Sequence, residues 1–271
     1  MSERGQAFTL EGVTAAILLV GGLVFALQAT AVTPLSASTS SQHIENQQQA
    51  SAEGVLATGT DTGSLRVAVL FWDDANEQFH DAAESYYVDQ TPDNRFGAAL
   101  DRAFTSRRIV ANVNVYYQEG DRQRQQRMVY RGEPSDNAVS ASTTITLTDD
   151  DPLYDDTGAP ATVTGESHTY DVNAPTNTLN EAPVVRSGVE TITDVDGITY
   201  ERGVDFAVID DDGDGKPDTI DWTTGGSSPD DTESFTVDYT PAVSGDRFYA
   251  SDSSTTGVYN VVTVEVVVWR Q

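Results

Sequence analysis

A long apolar run near the N-terminus constrains this chain more than any other feature. Residues 7–32 read AFTLEGVTAAILLVGGLVFALQATAV, and after Glu11 no charged side chain occurs until Glu45. A helix rises about 1.5 Å per residue, so roughly 20 apolar residues span the ~30 Å core of a bilayer. Pro34 interrupts the pattern, but the polar stretch beyond it allows a helix with one packing face. The sequence predicts a long helix over about residues 7–57, with a first half suited to lipid or to a filament core.

The same run fits two kinds of exported protein. Ala29-Thr30-Ala31 has the A-x-A form of a signal-peptidase site, and cleavage after Ala31 would release a secreted protein. The alternative is a permanent single-pass anchor, for which the positive-inside signal is weak because Arg4 is the only basic residue before the run. Both interpretations place the acidic body of the chain outside the cell.

The composition is strongly acidic. The 271 residues carry 43 acids against 15 bases, a formal net charge of −28, and the only lysine is Lys216. Such a surface repels phosphate, which excludes nucleic acid as a partner. Abundant aspartate with almost no lysine is typical of a protein from concentrated salt, where screening removes the mutual repulsion of carboxylates. The absence of cysteine excludes disulfides, thiol catalysis and zinc–thiolate sites.

The first residues carry a specific pattern. Arg4-Gly5 is followed by Gln6, then by Phe8-Thr9-Leu10, Glu11 and the apolar run. This resembles the class III, prepilin-type signal of archaeal type IV pilins. The first 50 residues, with the C-terminal VYNVVTVEVVVWR, are similar to haloarchaeal pilin-like membrane proteins.

The resemblance implies processing and assembly. A prepilin-type peptidase would cut between Gly5 and Gln6, and Glu11 would pair with the new α-amine of a neighbouring subunit. Glu11 would be the sixth mature residue, one later than the family pattern. The implied partners are the membrane, the peptidase and other pilin-like subunits. The implied location is the cell membrane, with a single span and an extracellular head, or a surface filament.

The expected fold class is α+β, with a long transmembrane, pilin-like helix packed on an antiparallel β head that carries a small inserted β module. The expected divisions are a leader, a helix, a head, an acidic insert and a C-terminal strand (residues 1–5, 6–57, 58–165, 166–242 and 243–271).

Within the head, helical spacing predicts helices over 64–79 and 93–107, the second capped by Asp93 or Asn94. Alternation predicts strands over 109–117, 122–131 and 138–148. Residues 257–269 form the strongest strand pattern, apolar on both faces, which favours a central position or a covering helix. Residues 122–131 hold four arginines, which suggests internal pairing with acids or a contact with another subunit or a glycan.

The acidic insert contains a candidate metal site. Residues 210–221 read DDDGDGKPDTID, in which five aspartates follow the spacing of an EF-hand-like calcium loop: Asp210, Asp212, Asp214, Asp218 and Asp221. Pro217 replaces the usual hydrophobic residue, and helices do not flank the loop. The sequence predicts a structural Ca²⁺ site or, alternatively, a plain acidic hairpin loop.

No catalytic motif is present, so we do not expect an enzyme. The leading hypothesis is a structural, pilin-like subunit, minor or accessory rather than major, of an archaeal type IV pilus-like surface filament or assembly. The alternative is an anchored or secreted β-rich ectodomain that binds a ligand or a surface partner.

Overall fold

A computed structural model describes the backbone of residues 3–270 and the side chains of residues 12–24 and 42–270. The chain divides into two units, Met1–Gln48 and Gln49–Gln271. The helices are α1 (Glu3–Asp61), α2 (Ser64–Val69) and α3 (Arg95–Ala103), with a 3-10 turn at Thr105–Arg107. The strands are β1 (Trp72–Asp73), β2 (Gln78–Phe79), β3 (Ile109–Glu119), β4 (Arg122–Val129), β5 (Val139–Thr148), β6 (Val163–Thr169), β7 (Thr176–Thr178), β8 (Thr191–Asp194), β9 (Thr199–Glu201), β10 (Ala207–Ile209), β11 (Thr219–Asp221), β12 (Ser234–Tyr239) and β13 (Val258–Arg270).

The transmembrane part of the expected fold is wrong. A membrane span needs about 30 Å of apolar helix, which is roughly 20 residues. Across the side chains that the structure describes, no helix combines the length and the apolar character needed to cross a bilayer. The same finding contradicts the predicted single-pass location at the cell membrane.

The expected packing of a pilin-like helix on the head is also corrected. In the second unit, only the last turns of α1 contribute to the core of the head, through Ala52, Val55 and Leu56. The other two α-helices of the described chain are short, and most of the regular structure beyond α1 is β-sheet. The second unit is therefore a β-rich body rather than a sheet packed along a pilin helix.

The strand β13 organises the head. The sheet order is β4-β3-β13-β5, and all neighbouring pairs are antiparallel. Val264 lies opposite Val115 on one side and Thr143 on the other. Val262, Val264, Val266 and Val268 are fully buried, which explains why one face of this strand is apolar. The central position predicted for this strand is confirmed.

One face of this sheet is covered by helices. Leu65, Ala68 and Val69 of α2 and Phe96 and Leu100 of α3 belong to the same buried cluster as the valines of β13. Burial of each large apolar side chain stabilises the fold by roughly 1.5–3 kcal/mol. The helical cover therefore comes from short helices of the head and from the end of α1.

The predicted helix over 64–79 is wrong in its second half. The helix α2 ends at Val69, and β1 and β2 then form a two-stranded hairpin in which Trp72 lies opposite Phe79. Asp73 ends the first strand, because its carboxylate accepts from the backbone N–H (3.2 Å) and side-chain amide (2.7 Å) of Asn76. The rings of Trp72 and Phe79 meet edge to face at 5.3 Å. Of the residues that suggested a helical stripe, Leu65 and Val69 lie in α2, whereas Trp72 is buried in the hairpin.

The predicted start of the second helix of the head is confirmed. The Oδ1 atom of Asn94 accepts from the N–H groups of Phe96 and Gly97, both at 3.1 Å, and caps α3. Gly97 is required here, because a Cβ would lie 1.9 Å from the carbonyl oxygen of Pro92. The helix ends at Ala103, four residues before the predicted end.

The acidic module has its own hydrophobic core. Its strands form two antiparallel sheets, β6-β12-β8-β9 and β10-β11-β7. Trp222 lies at the centre of this core, with its ring 5.2–6.0 Å from those of Tyr170, Tyr200, Phe206 and Phe235. We refer to residues 163–239 as the acidic module.

Candidate metal centre

The aspartate loop connects β10 to β11. These strands pair through Ile209 and Thr219, so the loop closes a short hairpin. Asp210 organises the turn: its Oδ1 accepts from the N–H of Gly213 (2.7 Å) and its Oδ2 from that of Gly215 (2.7 Å). Both glycines have positive φ, 81° and 92°, which L side chains rarely adopt. Gly213 and Gly215 are therefore required for the fold of the loop itself.

Three of the five predicted ligands come together. Asp210, Asp212 and Asp218 each offer a carboxylate oxygen, and these atoms lie within 4.8 Å of one another. Asp214 is not in this group, and its Oδ1 accepts from the N–H of Lys216 at 2.9 Å. Asp221 is buried on β11, where its Oδ1 accepts from the N–H (2.8 Å) and hydroxyl (2.6 Å) of Thr223. The structure thus assigns Asp221 to a turn rather than to the cluster.

The pKa values of Asp210 and Asp212 shift in opposite directions. Desolvation raises the pKa of Asp210, but the hydrogen bonds from the N–H groups of Gly215 and Gly213 outweigh it, and the net pKa is lowered. The N–H of Asp214 lowers the pKa of Asp212, but desolvation and the charges of Asp214, Asp218 and Asp210 outweigh that hydrogen bond, and the net pKa is raised. A cation would relieve the repulsion that acts on Asp212.

The chemistry of the cluster suits a hard cation. Ca²⁺ takes 6–8 oxygen ligands at 2.3–2.6 Å, and carboxylates bind it with one or both oxygens. Three converging aspartates on a glycine-bent loop provide part of that shell, and water would complete it. The arrangement fits a weak, structural site of mainly exposed ligands, held by Asp210, Asp212 and Asp218.

Calcium is expected to stabilise the protein through this cluster. At a tenfold excess over Kd, binding to the native state adds about 1.4 kcal/mol, which corresponds to a rise in Tm of about 3–6 °C for a domain of this size. Asp212→Asn should abolish the rise, whereas Asp214→Asn should keep it because Asp214 lies outside the cluster. The measurement is thermal unfolding at fixed molar salt, with and without added Ca²⁺. Equal rises in the two variants would exclude the cluster as the binding site.

Lys216 links the aspartate loop to Asp252 of the head, a contact that the sequence did not predict. Its Nζ donates to Oδ2 of Asp252 at 2.6 Å and lies 5.7 Å from the ring centroid of Tyr259. Burial lowers the pKa of Lys216, but the hydrogen bond and charge of Asp252 outweigh burial, and the net pKa is raised. The one sequence feature that could have drawn attention to this residue is that it is the only lysine of the chain.

A second polar network lies inside the acidic module and was also missed. Glu166 accepts from the hydroxyl of Tyr239 (2.6 Å) and the N–H of Asn180 (3.0 Å), and it lies 2.6 Å from Nε2 of His168. Desolvation raises the pKa of Glu166, but these hydrogen bonds outweigh it and the net pKa is lowered. The network joins β6 and β12 to the segment after β7, and no pattern in the sequence indicates it.

Acid is expected to destabilise the protein through Glu166. Because its folded-state pKa is lowered, the stabilisation is present above the unfolded pKa of about 4.3 and is lost as pH falls through the folded pKa. Glu166→Gln should therefore show a shallower loss of stability below about pH 4.3 than the parent chain. Denaturant unfolding at several pH values measures this slope. The exposed Glu201→Gln provides the control and should leave the slope unchanged.

The arginine cluster lies mainly on β4. Arg122, Arg124 and Arg127 are exposed there. Arg124 pairs with Glu119 at 2.5 Å, and the guanidinium of Arg127 lies 4.1 Å from the ring centroid of Tyr130. Internal partners therefore account for much of this cluster, as one of the two interpretations expects.

The predicted processing and assembly residues fall within α1. Arg4, Gly5, Gln6 and Glu11 belong to the helix, but their side chains lie outside the part of the chain that the structure describes. The proposed cut between Gly5 and Gln6 and the pairing of Glu11 stay predictions.

Fold and site together define a highly acidic, β-rich protein with a long N-terminal helix and a carboxylate loop. The chain belongs to the family of unknown function DUF7288, which matches residues 4–190. This range covers nearly all of α1 and the strands β1–β7, and it ends before the aspartate loop. No curated protein matches the chain, and no solved structure matches it either.

Proposed function

We propose that this protein is a structural subunit of a filament or other surface assembly, held together by its N-terminal helix. The observation that carries the proposal is the exposed apolar surface of α1 in the first unit. Seven large apolar side chains there are between 47% and 75% exposed: Val13, Ile17, Leu18, Leu19, Val20, Leu23 and Val24. Single chains rarely expose apolar patches larger than a few hundred Å².

The distribution of these side chains favours several neighbours rather than one. Val13, Ile17, Val20 and Val24 follow the i, i+4, i+7, i+11 spacing of one helical face. Leu18 and Leu19 project from other faces of the same turns. A helix that is apolar all round needs cover on every side, which a bundle of like helices supplies and a dimer does not.

The acidic composition supports the same arrangement. Copies with a net charge of −28 repel one another, and the region between Glu11 and Glu45 is free of charged side chains. Packing through this region therefore brings copies together without placing carboxylates in contact. Concentrated salt, which shortens the screening length to about 3 Å at 1 M, favours the assembly further.

A type IV pilus-like filament is the specific form that the N-terminal residues favour. Arg4, Gly5 and Gln6 supply the prepilin-type processing pattern, and Glu11 precedes the apolar run at the position where a carboxylate could pair with a neighbour's α-amine. A large head with an added acidic module suits an accessory subunit, because bulk at the surface crowds a helical lattice.

Sedimentation of the full chain in molar salt tests the proposal. We expect large assemblies without detergent, and species no larger than a dimer when a non-ionic detergent covers the helix. A chain that forms nothing larger than a dimer without detergent would contradict the proposal. N-terminal mass spectrometry of native material tests the filament type separately, since a chain that starts at Gln6 supports prepilin-type processing.

A further inference from the structure

The sheet of the head ends at a long edge strand, β5, that has none of the usual features that prevent pairing with a further strand. The strand β5, VSASTTITLT, pairs with β13 on one side, and within residues 3–270 no strand pairs with its other side. It contains no charged residue and no proline, in a chain that has 43 acids. Edge strands of this length normally carry charges, proline or a bulge that prevents further pairing. The other uncharged edge strands of the described residues, β2, β7 and β10, have only two or three residues each.

One end of this edge is closed by an ion pair. Arg66 donates to the carbonyl oxygen of Thr146 at 2.7 Å, and Asp151 accepts from the N–H of Thr148 at 2.7 Å. Arg66 and Asp151 are themselves 2.5 Å apart. The two charged groups thus occupy backbone positions that a further strand would need at this end of β5.

The same contacts identify the open backbone groups. The N–H and C=O of one strand residue point to the same edge, and successive residues alternate between edges. Because Thr146 faces outward, Ser140, Ser142 and Thr144 also present their N–H and C=O groups outward. None of these groups takes part in a backbone hydrogen bond among those of the described residues. The open window therefore covers about residues 139–145.

We propose that this window binds the same window of a second copy, as an antiparallel pair centred on Ser142. In this register Ser142 lies opposite Ser142 of the second copy, and Ser140 lies opposite Thr144. About six backbone hydrogen bonds form across the two-fold axis, and the two head sheets become one continuous sheet. The contact is isologous, as in most symmetric dimers.

The absence of charge in this window favours a second copy of the chain as its binding partner. Like charges opposite one another destabilise strand pairs, so two copies of this acidic chain need an uncharged contact. All side chains of the window are Ser, Thr, Ala, Val or Ile. The opposite edge of the sheet, β4, carries exposed arginines and is bridged near its C-terminal end by Tyr87, which pairs with Val129. The edge on β5 is therefore the one that suits self-pairing.

This interface does not depend on the packing of α1. Detergent that covers the apolar helix leaves the edge of β5 available, because its open groups are polar backbone atoms. Loss of helix-driven assembly and loss of edge pairing are consequently distinguishable in the same sample.

Cysteine cross-linking tests the register in the full chain, which has no cysteine of its own. Opposite residues in a hydrogen-bonded antiparallel pair have Cα atoms about 5.5 Å apart, within the range of about 4.4–6.8 Å that a disulfide requires. Under mild oxidation in detergent and molar salt, Ser142→Cys should yield a covalent dimer. A mixture of Ser140→Cys and Thr144→Cys should cross-link as well.

Ser140→Cys alone is the matched control. In the proposed register two copies of residue 140 are about 14 Å apart, so this variant should give at least tenfold less dimer than Ser142→Cys. Ser142→Pro, which removes an outward N–H, should abolish the dimer that light scattering detects in the parent chain in detergent. Equal cross-linking at positions 140 and 142, or no cross-linking at position 142, would overturn the proposal.

Discussion

Replacing Ile17 by aspartate is expected to abolish assembly of this protein. Ile17 lies on the exposed apolar surface of α1, and packing among like helices would bury its side chain. An uncompensated carboxylate in such a contact costs several kcal/mol, and each 1.4 kcal/mol lowers an association constant tenfold. We therefore expect at least a hundredfold loss of association, measured by sedimentation of the full chain in molar salt.

Two variants make this result specific. Ile17→Leu keeps the apolar surface and should assemble like the parent chain. Asp61→Asn changes a charge at the end of the same helix, where the residue is exposed, and should also leave assembly intact. Normal assemblies from Ile17→Asp would show that this part of the helix does not hold the copies together.

Replacing Trp222 by alanine is expected to have the largest effect on the stability of the acidic module. The ring is 4% exposed and contacts four aromatic rings. Removal of a buried Trp or Phe side chain typically costs about 3–5 kcal/mol, which lowers Tm by roughly 6–20 °C for a domain of this size. Thermal unfolding monitored by near-ultraviolet circular dichroism measures the change.

The matched control lies in the other core. Trp72 is 6% exposed and belongs to the cluster of the head, so Trp72→Ala removes the same side chain from a different place. Proteolysis of the two variants near their transition should cut first within the acidic module for Trp222→Ala and within the head for Trp72→Ala. The same cutting pattern in both would show that the two cores unfold together.

The sequence predicts the centre of the head better than its periphery. The run of valines in β13 favours either a central position in a sheet or a covering helix, and the structure places this strand between β3 and β5. The residues Trp72 and Phe79 are different, because their spacing fits a helix and a hairpin equally well. Tertiary packing of the two rings, with a turn set by Asp73, decides between them.

The candidate metal loop shows a similar limit. Spacing predicts five ligands, but the fold brings only Asp210, Asp212 and Asp218 together. Asp221 belongs to a strand whose register with β10 and β7 fixes its side chain in a turn with Thr223. Pairing between strands distant in sequence is not encoded in the local motif, so the motif overstates the ligand set.

The polar contacts that join parts of the body are the least predictable. Lys216 reaches Asp252, and Glu166 reaches Tyr239, across separations that no local pattern links. In a chain with 43 acids, a carboxylate that accepts several hydrogen bonds looks the same in sequence as one in solvent. Only the three-dimensional arrangement distinguishes them.

Electron cryo-microscopy of the assembled full chain would show directly whether the N-terminal helices hold the copies together. We expect a core in which residues 12–24 of neighbouring copies pack against one another, with helix axes about 8–10 Å apart and the acidic heads outside. An assembly in which these residues contact no other copy, or in which the heads alone make the contacts, would contradict it.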